Sequence, residues 1–178
     1  MSQEYRIVLA GFGGQGILFA GKVLAYTGLI DDRHVSWMPS YGPEMRGGTC
    51  NCNVTLSDDE VGSPLISDPN VLIAMNQPSL EKFEPTMVPG GTIVVDTTLM
   101  NHLPQRTDVK VLAIPATKIA EDNGLKGLAN IVCVGKLFAE LGFCSEETLE
   151  AAIRKVVPAR KAAMVDKNLA ALKLGMEA

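Results

Sequence analysis

Short apolar segments alternate with amphipathic segments along most of the chain. The apolar runs EYRIVLAG, NVLIAM, TIVVD and VKVLAIPA are bounded by turn residues, and they predict buried strands. A helical period from Ile17 to about Thr27 predicts the first helix, with Gly28 as its stop and with Gly21 and Gly28 allowing close approach to a flat surface. This alternation is typical of an α/β fold with a largely parallel sheet.

Helix start and stop signals mark the second half of the chain. We expect Thr117 to cap the helix in TKIAEDNG, and Asn130 to cap NIVCVGKLFAELG, which Gly142 ends. The segment SEETLEAAIRKVV begins with a Ser-x-x-Thr pattern at Ser145 and is broken by Pro158. A last helix is predicted from Arg160 to Leu174.

Two strands follow one another without an intervening helix. HVSWMP is the first, and the second starts at Thr49, where polar and apolar residues alternate. One face carries Cys50, Cys52, Val54 and Leu56, and the other is polar. The predicted fold class is therefore a single three-layer α/β domain over residues 1–178, with a Rossmann-like, mostly parallel but mixed sheet flanked by helices.

Composition and charge argue against several classes of partner. Hydrophobic residues make up 47% of the 178 residues and charged residues 20%, which fits either a large core or a surface buried against partners. The net charge of −4 and scattered basic residues argue against nucleic acid. Without a signal-like start or a long apolar run, we expect a cytoplasmic protein with no membrane partner. Its four cysteines lack the spacing of a metal site, so structural thiols and no bound metal are expected.

The glycine loop GFGGQG follows a strand and precedes a helix. Gly11-x-Gly13-x-x-Gly16 resembles a dinucleotide fingerprint, in which the glycines allow a tight turn and close approach of a phosphate to the backbone. A nicotinamide site also needs an acid after the second strand, and Asp31 precedes that strand instead. The pattern therefore favours a close-packing turn that could also hold an anion.

No catalytic set is evident in the sequence. His34 and His102 lack obvious partners, and Asp96 at the end of TIVVD fits either a site residue or a turn-forming residue. The loop YGPEMRGGTC stands out, because Glu44 and Arg46 lie in a glycine-flanked segment after the second strand. We interpret it as a ligand or partner contact, with a local salt bridge as the alternative.

Three motifs together resemble the gamma subunit of the 2-oxoacid:ferredoxin oxidoreductases. They are GFGGQGILFAGKVLA, PSYGPEMRGGTCNCNV and SDDEVGSPLI. Ser57-Asp58 and Ser63-Pro64 match the third motif, and ANIVCVGKLFAELG matches a later helix of the family. The candidate ligand or interface residues are Gly11, Gly13, Gly14, Gln15, Gly16, Ser40, Tyr41, Gly42, Glu44, Arg46, Gly47 and Gly48.

The resemblance implies a multisubunit enzyme that converts a 2-oxoacid and coenzyme A to acyl-coenzyme A and carbon dioxide, and reduces ferredoxin. Thiamine diphosphate, magnesium and iron–sulfur clusters would belong to other subunits, so this chain would bind no cofactor tightly. Its partners would be alpha, beta and in some complexes delta subunits, with ferredoxin reached through the complex. Two alternatives stay open: a free-standing Rossmann-type nucleotide-binding oxidoreductase, and a plain binding or assembly module with no ligand. Self-association is a further expectation for the isolated chain.

Overall fold

The structure is a computed structural model that describes residues 3–40 and 49–178. The predicted contact loop from Tyr41 to Gly48 therefore lies outside the described residues. The strands that flank this segment, and all six α-helices named below, lie within the described residues.

Six strands form one mixed sheet. In chain order the elements are β1 (Glu4–Phe12), α1 (Ile17–Ile30), β2 (His34–Ser40), β3 (Thr49–Ser57), β4 (Val71–Ala74), α2 (Gln77–Phe83), β5 (Thr92–Asp96), β6 (Lys110–Ile114), α3 (Ala116–Asp122), α4 (Ala129–Leu141), α5 (Glu146–Val156) and α6 (Met164–Glu177). The sheet order is β2-β3-β1-β4-β5-β6. Strands β1, β4, β5 and β6 are parallel, whereas β3 runs antiparallel to both β1 and β2. The predicted α/β class with a mixed sheet is confirmed.

The two faces of the sheet are covered unequally. One face packs against α1, α3, α4, α5 and α6 in a large apolar core that includes Leu9, Val54 and Ile73. The opposite face has a smaller cluster around Val8 and Leu72, which α2 covers over β1, β4 and β5. Because strand residues alternate between faces, the β2–β3 part of this second face projects polar side chains.

Helix α1 lies close against β2 and β3, as its glycines predicted. A Cβ added at Gly28 would come within 2.6 Å of Val35 Cγ2 and 2.8 Å of Leu56 Cδ2, and one at Gly21 would overlap Cys52 Sγ. The predicted stop at Gly28 is wrong, since the helix runs on to Ile30. The helix uses Gly28 as a packing surface, and the chain turns after it at Asp32, which has a φ of 53°.

Two predicted caps are also wrong, while three other helix boundary signals are confirmed. Asn130 lies inside α4, whose N-cap is Leu128, and Thr117 lies inside α3, whose N-cap is Pro115. Ser145 does cap α5 by accepting a hydrogen bond from Thr148 N, and α5 ends at Val156, before Pro158. Gly142 ends α4 in the left-handed conformation.

Helices α4 and α6 touch backbone to backbone. A Cβ added at Gly135 of α4 would overlap the Leu172 carbonyl oxygen, and one at Gly175 of α6 would overlap the Val132 carbonyl oxygen. Neither obstacle is a flexible side chain, so the two glycines fix the distance between the helices.

We predict that Gly135→Ala destabilises the protein. At an exposed position inside a helix, Gly→Ala raises protein stability by about 1 kcal/mol. At Gly135 the added methyl group would be overpacked against α6 at a cost of about 1–3 kcal/mol, so we expect a net loss of stability. Urea unfolding followed by circular dichroism measures it. Gly62→Ala is the control, because a Cβ at Gly62 meets nothing within 4 Å. A Gly135→Ala protein more stable than the parent would contradict the close contact.

Candidate functional site

The glycine loop joins β1 to α1 at the carboxyl edge of the parallel strands. Gly14 and Gly16 adopt left-handed φ angles of 95° and 73°. Gly16 is the N-cap of α1, and no side chain caps this helix and no acidic residue lies in its first turn. The positive end of the α1 dipole is therefore neither capped nor neutralised by a side chain of its first turn. That this turn holds an anion stays a prediction.

Gln15 closes the loop onto the neighbouring strand. Its Oε1 accepts a hydrogen bond from Phe12 N at 2.6 Å, and its Nε2 donates to Met75 O at 3.0 Å. A Cβ added at Gly11 would lie 2.5 Å from the same Oε1. The Gln15 side chain thus occupies the space beside Gly11, between the ends of β1 and β4. A dinucleotide fold uses this crevice for its ligand, so the arrangement disfavours that use.

A cavity of about 220 Å³ lies beside the loop. Gly14, Gln15 and Met75 form one side of it, and Thr117 and Lys126 are among the residues on the other. It lies where α/β folds usually bind ligands, outside the carboxyl ends of the strands. The loop, this cavity and the residues around them form the candidate site.

Asp96 organises the next strand end. It is fully buried, and its carboxylate accepts hydrogen bonds from Thr98 N at 3.1 Å and from Thr117 N and Thr117 Oγ1 at 3.1 and 2.6 Å. These donors hold the carboxylate at the start of α3. Asp96 therefore supplies the cap that the sequence assigned to Thr117, and the turn-forming interpretation of Asp96 is supported.

Asn130 connects the glycine loop to a distant helix. Its Nδ2 donates to the Gly16 carbonyl oxygen at 2.9 Å, across 114 residues of sequence. A Cβ at Gly16 would overlap this nitrogen, so a glycine is needed at that position for two reasons. Sequence reasoning missed this contact because Asn130 looked like a local helix cap.

The remaining candidate residues are not brought together. His34 is exposed on β2, and His102 is exposed in the loop after β5, where its Nε2 lies 2.8 Å from Gln77 Nε2. Ser40 is the exposed last residue of β2, and Gly13 lies in the turn after β1. The other predicted contact residues, Tyr41, Gly42, Glu44, Arg46, Gly47 and Gly48, lie outside the described residues.

The cysteines are packed as core residues. Cys50, Cys52 and Cys133 are buried, and Cys144 is half-buried. Burial raises the pKa of the Cys52 thiol to about 12, and it also raises the pKa values of Cys50 and Cys133. Such thiols stay protonated and unreactive near neutral pH. Across residues 3–40 and 49–178, no three His, Cys, Asp or Glu side chains converge on a possible metal position.

A flat surface remains beside the candidate site. We call it the open sheet face; it consists of Phe12, Ser36, Met38, Ser40, Asn51 and Asn53. Phe12 is 39% exposed, and the β2 and β3 members are exposed or half-buried. In the described part of the chain, no residue of β2 or β3 belongs to the cluster under α2. The face thus carries the exposed Phe12 and the half-buried Met38 among uncharged polar residues.

We predict that Asp96→Asn lowers the free energy of unfolding by about 2–3 kcal/mol. The amide nitrogen of the asparagine would face backbone N–H groups whose hydrogen bonds the carboxylate oxygens now accept. Thermal unfolding of the purified chain measures the effect. Asp122→Asn, at the end of the helix that Asp96 caps, is the control. Asp122 is exposed in an i,i+4 pair with Lys118, so the melting temperature of this variant should stay nearly unchanged. Equal stability of Asp96→Asn and the parent would contradict the capping role.

Comparison with known proteins identifies the family. The family described as pyruvate ferredoxin/flavodoxin oxidoreductase matches residues 6–178. The ketoisovalerate oxidoreductase subunit VorA of Methanothermobacter thermautotrophicus is 42% identical over 98% of the chain, which spans only 36% of that relative. The 2-oxoglutarate synthase subunit KorC of Methanocaldococcus jannaschii is 36% identical, and the match covers 99% of this chain and 94% of KorC.

Solved structures agree with the sequence relatives. The gamma subunit of a keto/oxoacid ferredoxin oxidoreductase from Geobacter sulfurreducens has 31% identity and a TM-score of 0.82, and the match covers 97% of this chain and 96% of that one. A 2-oxoglutarate:ferredoxin oxidoreductase from Magnetococcus marinus shares the fold at 22% identity and a TM-score of 0.86, over 31% of its chain. The chain therefore belongs to the pyruvate ferredoxin/flavodoxin oxidoreductase family, and its structure matches the gamma subunit of the 2-oxoacid:ferredoxin enzymes.

Proposed function

We propose that this chain is the gamma subunit of a multisubunit 2-oxoacid:ferredoxin oxidoreductase. The reaction would convert a 2-oxoacid and coenzyme A to acyl-coenzyme A and carbon dioxide, with two electrons passed to ferredoxin. The observation that carries the proposal is the match to separate gamma-type subunits over nearly their whole length, 94% of KorC and 96% of the Geobacter subunit. The specific 2-oxoacid is left open, because relatives named for ketoisovalerate and for 2-oxoglutarate both match.

The chain's own role in this proposal is positioning. The buried, protonated cysteines do not fit an iron–sulfur cluster, and the described residues form no acid–base set. Thiamine diphosphate, magnesium and the clusters are therefore assigned to the alpha, beta or delta subunits, which would also contact ferredoxin. Cofactors carry the difficult chemical steps in such enzymes, and protein surfaces hold them in place.

The open sheet face is the surface that we assign to a partner subunit. Its exposed Phe12 and half-buried Met38 resemble the apolar centre of a protein interface, and its Asn and Ser side chains can form the surrounding hydrogen bonds. Ser40 and Thr49 lie at the ends of the two strands that residues 41–48 connect. Glu44 and Arg46 are accordingly proposed as polar contacts at the rim of the same interface.

Coenzyme A is the ligand that we assign to the candidate site. The uncapped start of α1 at Gly16 offers backbone N–H groups to a phosphate, and the adjoining cavity is lined by Lys126 together with Glu121. The alternative of a free-standing dinucleotide enzyme is disfavoured, because Gln15 fills the crevice beside Gly11. The sequence relatives are named as subunits, which also favours a multisubunit enzyme over a free-standing one.

We predict that Met38→Arg prevents assembly, because a charge in the middle of an apolar contact is desolvated without a partner. The measurement is native mass spectrometry of the complex after co-expression of its subunits, together with 2-oxoacid-dependent ferredoxin reduction. Leu29→Arg is the matched control, since Leu29 is 54% exposed on α1 and does not belong to the open sheet face.

Assembly and turnover should fall at least about tenfold in Met38→Arg and stay unchanged in Leu29→Arg. The isolated variants should melt near the parent temperature, because the half-buried Met38 packs against neither of the two described apolar clusters. A Met38→Arg complex that assembles and turns over normally would rule out this face as the interface.

Arg46→Ala provides a separate test of the loop. We expect weaker assembly or slower turnover with a nearly unchanged melting temperature of the isolated chain, because an interface arginine makes its main contacts across the interface. Calorimetry of the chain and steady-state assays of the complex give the two readouts. A large loss of stability with normal turnover would instead support the local salt bridge between Glu44 and Arg46.

A further inference from the structure

A second, larger cavity of about 580 Å³ lies next to Gly16. The starts of α1, α4 and α6 and the segment between α5 and α6 contribute its lining. Most of the lining is apolar, and it includes Phe19, Leu128, Val157 and Met164. Small-molecule sites are usually apolar cavities of roughly 300–1,000 Å³ with a few placed polar groups. The volume and the lining therefore fit a small ligand with an apolar body.

Three helices begin at this cavity. The N-cap residues Gly16 of α1, Leu128 of α4 and Ala163 of α6 all line it, and none of these helices has a side-chain cap. The first N–H groups of a helix have no partner within the helix, and the helix dipole makes this end positive. The first turns of α1 and α4 contain no acidic residue, and Asp166 in the first turn of α6 does not line the cavity. The helix starts therefore make the potential in the cavity positive.

Lys161 is an independent source of positive charge in the same lining. It is exposed, and it is the only charged side chain that lines the cavity in the described part of the chain. Within residues 3–40 and 49–178, no carboxylate forms an ion pair with it. A side-chain ammonium and three helix starts thus favour the same kind of ligand group, which is an anion.

The lining also argues against other classes of ligand. A cation would meet Lys161 and no aspartate or glutamate among the described lining residues. A polyphosphate carries several charges, whereas one lysine in a mainly apolar lining offers a single countercharge. An apolar body with one anionic group suits both the apolar walls and the positive helix starts.

We propose that this cavity binds a small monocarboxylate with an apolar body, of the class of aromatic carboxylic acids. The carboxylate lies at the helix starts beside Lys161, and the ring packs against the apolar walls. This site is separate from the open sheet face and from the smaller cavity beside Gln15. It does not depend on the proposed place of the chain in a complex.

The test compares 2-naphthoate with 2-naphthamide, which share one ring system and differ in charge near neutral pH. Each is titrated into the full-length ¹⁵N-labelled chain, and backbone amide signals are followed by NMR. We expect 2-naphthoate to shift the signals of Ile17, Ala129 and Met164, the first residues of the three helices. We also expect it to bind at least about tenfold more tightly than the neutral amide.

A pair of lysine variants tests the side-chain charge. Lys161→Gln should weaken 2-naphthoate binding at least about threefold and leave 2-naphthamide binding unchanged. Lys173→Gln is the matched control, because Lys173 is exposed on the same helix α6 about 15 Å further along its axis than Ala163. This control should bind both probes as the parent does.

A pair of variants at Ala163 tests the charge at a helix start. Ala163 is exposed, so Ala163→Asp and Ala163→Asn introduce side chains of nearly equal size at the N-cap of α6, where both residue types are well tolerated. Only the aspartate adds a negative charge to the cavity. We expect Ala163→Asp to bind 2-naphthoate at least about fivefold more weakly than Ala163→Asn. The dispersion of the amide spectrum shows that each variant is folded.

Three results would overturn the proposal. The first is equal affinity for 2-naphthoate and 2-naphthamide, which would mean an apolar cavity without anion recognition. The second is an affinity for 2-naphthoate that neither Lys161→Gln nor Ala163→Asp changes relative to its control, which would place the probe elsewhere. The third is no binding up to the solubility limit of 2-naphthoate.

Discussion

The hydrogen bond from Asn130 Nδ2 to the Gly16 carbonyl oxygen is the constraint on which the site depends. It joins the end of the glycine loop, the start of α1 and the first turn of α4. Gly16 has to be a glycine there, because its φ is 73° and any Cβ would overlap the asparagine. Helix α4 is in turn held against α6 by Gly135 and Gly175. The loop and both cavities therefore share one rigid frame.

This frame explains why the carboxyl edge of the sheet holds a ligand-sized space and no catalytic set in the described residues. The groups that resemble catalytic candidates are used for structure: Asp96 caps α3, and Gln15 joins the loop to Met75. The positioning role that we propose rests on these structural uses and on a sheet surface that the described helices leave open. Membership of a cofactor-dependent oxidoreductase family is consistent with that division of labour.

Much of the fold could be predicted from sequence, because strand and helix periods are local properties. The six strands, the mixed sheet and the packing role of Gly21 and Gly28 followed from spacing alone. Errors arose where a residue has two possible partners. Asparagine is a common helix cap, but Asn130 donates a hydrogen bond to a carbonyl oxygen 114 residues away. Thr117 was expected to cap α3, but its backbone N–H is itself capped by Asp96.

The site was less predictable for the same physical reason. From the sequence, Gln15 is only a candidate ligand or interface residue, and the three-dimensional structure shows that its side chain bridges Phe12 and Met75. The contact role of Glu44 and Arg46 stays a prediction, because those residues lie outside the described ranges.

Purification of the tagged chain from its native cells, followed by analysis of the bound proteins and cofactors, tests the central claim most directly. The account predicts a stoichiometric assembly that contains thiamine diphosphate and iron–sulfur clusters and reduces ferredoxin when a 2-oxoacid and coenzyme A are added. A chain that elutes alone, lacks these cofactors and binds NAD or FAD tightly would contradict it.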